Sequence, residues 1–388
     1  MLSKSAALRP SFLRTLKMSC SSVVPPLLIN SSANGNVVTV TLNRPKALNA
    51  LDKEMCAGIK DLVNGWSTGE GKAPSAFIVK GAGDKAFCAG GDVKSIWDEI
   101  ANGGLDKSEI GIGKSGYKHS DFFRTEYEMN YALGTTNVPQ ISFWNGFVMG
   151  GGVGVSVLGK YRVANEKTMF AMPETAIGLF PDVGSSSWLP LLKPSGFGMY
   201  IGLTGQRLFA HDLLKSGIAT HYVSTEKIPE LEERLNNMDS TDDIEKILSQ
   251  YTEFPDDSKS LLKQHELAIE KCFHTSKTLS EITEALTEES SSGSVSAEWA
   301  QKTLDTLNKM SPTSMLVTYH QLKRGAGKSL KDCLEMEFRI SQRCMAGPDF
   351  TEGIRAVLVD KDHNPKWQPA PEDVERYFEA LPYDLVLR

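Results

Sequence analysis

Twice in this chain, about 60 residues apart, a strand-like run leads into a cluster of glycines and then into a helix pattern. Ala76 to Lys80 precedes the cluster Phe87 to Asp92, which contains Gly90 and Gly91. Gln140 to Asn145 leads into Asn145 to Gly152, which contains Gly150, Gly151 and Gly152. After the first cluster, Val93, Ile96, Trp97 and Ile100 have the spacing of one helix face; after the second, the apolar run Val153 to Leu158 predicts another helix. Such a repeat constrains the chain to an α/β architecture in which glycine turns link strands to helices. Either cluster alone is also an ordinary tight turn. Two of them permit more: glycines at a helix entrance let free backbone N–H groups approach a ligand, and two converging N–H groups stabilise an oxyanion.

Downstream, Glu174 and Asp182 sit in a stretch otherwise made of apolar, Pro and Gly residues, with no Lys or Arg nearby in sequence. Pro-Glu and Pro-Asp are common turn starts. In a pocket wall, however, desolvation raises a carboxyl pKa and suits the group to act as base or nucleophile near neutral pH. No Gly-x-x-x-x-Gly-Lys-Ser/Thr is present, nor a Gly-x-Gly-x-x-Gly between strand and helix followed by a suitably placed acid. Nucleotide hydrolysis and dinucleotide binding therefore lack support. The serine run Ser185 to Ser187 has no Gly-x-Ser-x-Gly elbow. Cys88 lies in a glycine loop and reads as a small buried apolar residue rather than a nucleophile. The seven histidines are scattered singly, and no metal site is expected.

The runs Val40 to Leu51, Lys85 to Asp92 and Asn145 to Gly154 resemble the successive signatures of the crotonase (enoyl-CoA hydratase/isomerase) superfamily. Phe122 to Tyr127, Ala171 to Gly184, Asp349 to Ala356, Asp360 to Asp362 and Pro365 to Trp367 narrow the resemblance to the branch that hydrolyses 3-hydroxyisobutyryl-CoA, a step of valine breakdown. The similarity runs from about residue 27 to the C-terminus. It implies a spiral of ββα turns, with the Gly91 and Gly151 amides forming an oxyanion hole, Ala89 near the CoA adenine and Glu126 in contact with substrate. It also implies two acids for hydrolysis. Glu174 would be nucleophile, through a mixed anhydride, or general base toward water; Asp182 would orient the substrate hydroxyl or the water. A hydratase of the superfamily carries a further glutamate three residues after the second oxyanion glycine, and that position here is Gly154. An enoyl-CoA hydratase or isomerase is thus the weaker enzymatic reading. A non-catalytic scaffold or RNA-binding protein of the same fold is the reading from another class. Coenzyme A enters as part of the substrate, so no separate cofactor is expected, and homo-oligomers are usual in the superfamily.

Residues 1 to 51 contain no Asp or Glu, while Lys4, Arg9, Arg14 and Lys17 are interleaved with Leu, Phe, Ala and Ser, which is the composition of a mitochondrial transit peptide. We therefore expect a leader over 1–26 and a mitochondrial matrix location, a ββα core over 27–225, and a helical region over 226–388 covering the acyl pocket. Residues 101 to 120, rich in Gly, Ser and Lys, read as a mobile loop near the CoA entrance. Helix patterns are expected at 228–238, 242–251, 258–272, 298–309, 313–323 and 328–345, with a Ser-rich linker at 287–296 and their charged residues on solvated faces. A net charge of -6 without a basic stripe argues against nucleic acid, and no apolar run reaches membrane length. Six cysteines without paired close spacing read as reduced thiols.

Overall fold

Successive side chains of the central strands point to opposite faces and enter two different apolar clusters, which sets how the sheet sits between its layers. The computed structural model describes residues 24–388 apart from 70, 71 and 242, so the basic residues of the expected leader lie outside the described residues. Strands β1 (Leu27–Ser31), β2 (Val37–Leu42), β3 (Ala76–Gly81), β4 (Ala86–Cys88), β5 (Gln140–Trp144), β6 (Phe147–Met149), β7 (Tyr161–Ala164), β8 (Met169–Ala171) and β9 (His221–Tyr222) form two sheets. The larger has the order β1-β2-β3-β5-β7-β9 and the smaller β4-β6-β8; only the β1–β2 pair is antiparallel. In β2, Val38, Val40 and Leu42 enter one apolar cluster while Val37 enters another; in β3, Phe77 and Val79 part from Ala76 and Ile78 in the same way. Both faces are covered, as a parallel sheet requires.

Among the described residues, seven α-helices accompany the strands: α1 (Lys53–Thr68), α2 (Val93–Asn102), α3 (Lys118–Thr135), α4 (Gly151–Gly154), α5 (Ser185–Trp188), α6 (Phe197–Thr204) and α7 (Ala210–Lys215). Each turn of the chain adds a strand to the large sheet, then one to the small sheet, then a helical segment: β3, β4, α2; β5, β6, α4; β7, β8 and a 3-10 turn at Glu174–Ile177. This is a spiral of ββα turns. The strand-like runs Ala76 to Lys80 and Gln140 to Asn145 are β3 and β5, and the start of each glycine cluster falls in a further short strand, β4 or β6, which escapes the sequence pattern because three residues are too few to show a period of two. The helix expected over Val153 to Leu158 is corrected: α4 is one turn long, because its four residues include three glycines and glycine is a poor helix former. In α1 the fully buried face is Met55, Cys56, Ile59 and Val63, with Leu62 and Trp66 only partly covered.

After β9 the chain is helical: α8 (Ile228–Asn236), α9 (Asp243–Tyr251), α10 (Leu261–Phe273), α11 (Leu279–Ser290), α12 (Ala297–Leu307), α13 (Pro312–Gly325), α14 (Leu330–Ala346) and α15 (Pro348–Ile354), followed by a π-helical turn at Arg355–Val359. Helices α8 and α9 cover one sheet face with Leu231, Leu235, Ile244 and Leu248. The apolar cluster on the other face runs from Val38 to Leu387, so the later helices share a core with the strands. Leu334, Phe338 and Ile340 of α14 are each fully buried there, which stabilises the packing by about 1.5–3 kcal/mol per side chain. The expected loop over 101–120 is shorter: its ends belong to α2 and α3, a 3-10 turn at Lys107–Glu109 lies between, and the Lys118 and His119 amides that start α3 donate to the Glu99 carboxylate of α2. Near the C-terminus, Trp367 Nε1 donates to the carbonyl of Lys309 and ties the tail down.

The sequence reading missed α11 and began the serine-rich linker inside it. A capping box starts this helix: Thr278 Oγ1 accepts from the Glu281 amide, and the Glu281 carboxylate accepts from the Thr278 amide. Thr278→Ala is expected to lower stability by about 1 kcal/mol, a fall in Tm of roughly 1 °C for a chain of this size. Denaturant unfolding and turnover measured together check it, since the rate should be unchanged.

Candidate active site

Where β4 and β6 end, their glycine turns face each other. The Leu51–Gly91 bridge uses the Gly90 carbonyl, which accepts from the Leu51 amide at 2.8 Å, and the Asp92 amide, which donates to the Leu51 carbonyl at 2.8 Å. The Gly91 N–H is left out of that ladder. Gly151 is the first residue of α4, so its N–H has no intrahelical acceptor. A Cβ on Gly151 would stand 3.1 Å from the Gly91 nitrogen and would collide with Glu126 Oε1. Two unused amides and one carboxylate therefore meet in a space that only a glycine leaves open.

That space belongs to a cavity of about 300 Å³. Ala89, Gly91, Glu126, Gly151, Glu174 and Asp182, the residues singled out from the sequence, all line it, together with Phe122, Leu179, Val357 and Leu358 among others. The structure thus brings every sequence-derived candidate to one place. Glu126 comes from α3, and Glu174 opens the 3-10 turn after β8. Glu174 Oε1 lies 2.8 Å from where a Cβ on Gly150 would stand, beside the glycine turn, and Glu174 Oε2 is buried without a hydrogen-bond partner. Glu126 Oε1 is likewise buried and unpartnered. Such acceptors are costly to desolvate, and they face the room a ligand would occupy.

The electrostatics follow from burial. Desolvation, and then the charge of Asp182, hold the Glu174 carboxyl well above the usual carboxylate range. Glu126 is raised by burial and by both Asp182 and Glu174. Burial pushes Asp182 up to about 6, against the pull of the Tyr127 hydroxyl, which donates to Asp182 Oδ2 at 2.7 Å. No cation contributes to these three shifts. Three acids in one apolar cavity cannot all be charged, so they share protons. Cys88 is fully buried and its thiol is pushed up to about 12 by burial, which suits a packing residue rather than a nucleophile.

At Gly154 the packing is closed. A Cβ there would overlap the Val183 Cβ and stand 2.9 Å from Asn130 Nδ2. No glutamate fits at that position. Val183 itself has φ +53, an unusual left-handed conformation for a β-branched residue, directly after Asp182.

Several residues escaped the sequence reading. Tyr127 follows Glu126 in the chain, but a helix pattern does not say which neighbour aims a hydroxyl at Asp182. Val357 and Leu358 reach the cavity from the π-helical turn, more than 170 residues after Glu174 in the chain. The acids of the C-terminal helices were read as solvated; Glu337 corrects this, being fully buried in α14. Its signal was present, since it lies at helix spacing from the apolar Leu334 and Ile340.

The family model described as enoyl-CoA hydratase/isomerase matches residues 37–378. The chain belongs to the enoyl-CoA hydratase/isomerase family. Within this family it is 44% identical over 344 residues to the mitochondrial 3-hydroxyisobutyryl-CoA hydrolase of Gallus gallus, covering 87% of this chain and 83% of that protein. It is 43% identical over 355 residues to the protein of the same description from Homo sapiens, covering 88% and 86%. Among solved structures of the family, a carnitinyl-CoA dehydratase from Mycobacterium thermoresistibile superposes with a TM-score of 0.80 at 33% identity, covering 93% of this chain and 98% of that one. An enoyl-CoA hydratase from Rhodobacter sphaeroides 2.4.1 gives 0.77 at 30% identity, covering 93% and 100%.

Proposed function

We propose that this chain hydrolyses the thioester of 3-hydroxyisobutyryl-CoA to 3-hydroxyisobutyrate and CoA. The observation that carries the reading is the pairing of two buried acids, Glu174 and Asp182, with the facing Gly91 and Gly151 turns, while Gly154 leaves no room for a second hydratase glutamate. The thioester carbonyl oxygen accepts from the Gly91 and Gly151 amides, which stabilise the charge it gains on attack. Glu174 adds to the carbonyl carbon itself, or takes a proton from a water that adds. The C–S bond then breaks, and the CoA sulfur leaves with the electron pair and takes a proton, on the water route the one that Glu174 received; on the direct route a water then cleaves the mixed anhydride, supplying that proton, releasing 3-hydroxyisobutyrate and returning the Glu174 carboxylate. Asp182, oriented by Tyr127, accepts from the substrate 3-hydroxyl, and Glu126 borders the acyl group. Coenzyme A is part of the substrate, so the scheme uses no separate cofactor and no metal.

Relatives described as mitochondrial and the acid-free basic leader composition support delivery to the mitochondrial matrix. The acyl-CoA ester is the partner of this site, and self-association into homo-oligomers is the assembly proposed from family habit; nucleic acid and membrane have no part in the scheme.

The test is direct. Purified protein is incubated with 3-hydroxyisobutyryl-CoA and with short enoyl-CoA esters while free thiol and double-bond absorbance are followed. Thiol release without hydration supports the hydrolase; hydration without thiol release overturns it. The pH profile adds a signed expectation. Glu174 acts deprotonated, so kcat/KM should rise with pH as the coupled acids lose their proton. The charge of Asp182 favours protonated Glu174, so Asp182→Asn should move that rising limb to lower pH in the residual activity. A limb that moves to higher pH contradicts the assignment.

A further inference from the structure

Helix α14 passes behind the cavity and sends one acid into the turn that carries Asp182. Glu337 Oε2 accepts from the Gly184 amide at 2.6 Å, and Glu337 Oε1 accepts from the Ser186 amide at 2.9 Å and the Ser186 hydroxyl at 2.6 Å. Gln321 of α13 holds the other end of the same turn, donating to the Pro181 carbonyl at 2.5 Å and to Ser186 Oγ at 2.9 Å. Between these grips stand Asp182, fixed on its side chain by Tyr127, and Val183, whose left-handed backbone is a conformation the residue does not take unaided.

Glu337 does not line the cavity. Burial pushes its carboxyl up to about 8 against the pull of the Ser186 and Gly184 bonds, the charge of Asp182 adds to the rise, and no cation offsets it. Its carboxylate is thus engaged by backbone and hydroxyl donors of one short turn. Burying an acid that forms no ion pair is costly and returns little net stability, so a positional role accounts for it better than fold stability does.

We propose that Glu337 is a positioning residue for thioester hydrolysis: by gripping Gly184 and Ser186 it holds Val183 left-handed and thereby aims Asp182 at the substrate 3-hydroxyl. The inference rests on the reading of Asp182 given above. It makes the C-terminal helices part of substrate selection, although none of their acids touches the substrate.

The experiment compares kcat/KM for 3-hydroxyisobutyryl-CoA with that for isobutyryl-CoA, which lacks the hydroxyl, in the full-length protein. Asp182→Asn should lose this preference by about tenfold or more, because a buried hydrogen-bonding group is what rejects an analogue lacking its partner. Glu337→Gln sets an amide N–H₂ against one of the backbone donors, and should lose the preference to a similar extent, with inhibition by free CoA unchanged. Ser186→Ala removes the hydroxyl's bonds to Glu337 and Gln321 but leaves both backbone donors to Glu337 and the Gln321 bond to the Pro181 carbonyl, so its preference should stay within about twofold of wild type. A merely structural role for Glu337 would lower the activity on both esters together and leave their ratio alone. That ratio, kept in Glu337→Gln but lost in Asp182→Asn, overturns the inference. A ratio kept in Asp182→Asn overturns the reading of Asp182, and the inference with it. Should Glu337→Gln fail to fold, Glu337→Asp, which keeps the charge but shortens its reach, is judged by the same ratio.

Discussion

Replacing Glu174 by Gln is expected to lower kcat by about a thousandfold or more, equivalent to about 4 kcal/mol of barrier, with the affinity for the CoA ester nearly unchanged. The amide has the size of the carboxylate but neither attacks a thioester nor takes a proton from water. The interaction it removes is therefore made in the transition state rather than in the bound substrate. The same substitution should leave the protein at least as stable. Glu174 Oε2 has no partner to strand, and its carboxyl is held neutral-leaning by burial and by Asp182. Removing an ionisable group from such a place relieves strain, a common trade between stability and activity at reactive sites. Steady-state kinetics, calorimetric titration with the ester and thermal unfolding of the same preparation check all three parts. Retention of most of the wild-type rate would remove Glu174 from the mechanism.

The second large effect is expected at Gly151. An alanine Cβ there collides with the Glu126 carboxylate and stands 3.1 Å from the Gly91 nitrogen. It therefore fills the place where the thioester oxygen must meet both amides. Loss of oxyanion stabilisation costs about 10²–10³ in kcat; the displaced Glu126 adds to this. Gly91→Ala is the informative companion, because its Cβ would meet the edge of the Phe122 ring at 2.7 Å rather than a second amide. The ring has some freedom to shift, so the loss at Gly91 should be smaller than at Gly151. Single-turnover measurement of thiol release in both variants orders them, and a Gly91 effect larger than the Gly151 effect would contradict the geometry.

The main architecture was legible because its longer strands are near-continuous apolar runs, buried on both faces, and its glycine turns stand out against them. β3 and β5 fall where the apolar runs put them. β4 and β6 are three residues each, and at that length pairing with neighbours, not local pattern, makes a strand. The site was legible in its polar anomalies: Glu174 and Asp182 stood out by being acidic where everything around them is apolar. Its supports were not. Tyr127 and Glu337 lie in helices whose periodicity is satisfied whether or not their polar tips find Asp182 and Gly184. Only the three-dimensional crossing of α3 and α14 near the 181–186 turn gives those tips a purpose.

The contact between Gly154 and Val183 has a consequence for how such a protein can change. Because Val183 occupies the volume a side chain at 154 would need, a mutation restoring a hydratase-like acid there meets a filled site rather than an empty slot. The change at 154 is tolerated only after 183 has been reduced in size. Yet Val183 follows Asp182 in the turn, so altering it disturbs the acid to which we assign the substrate hydroxyl. The two chemistries are thereby separated by an epistatic barrier: no single-residue path leads from one to the other without passing through a protein that performs neither well.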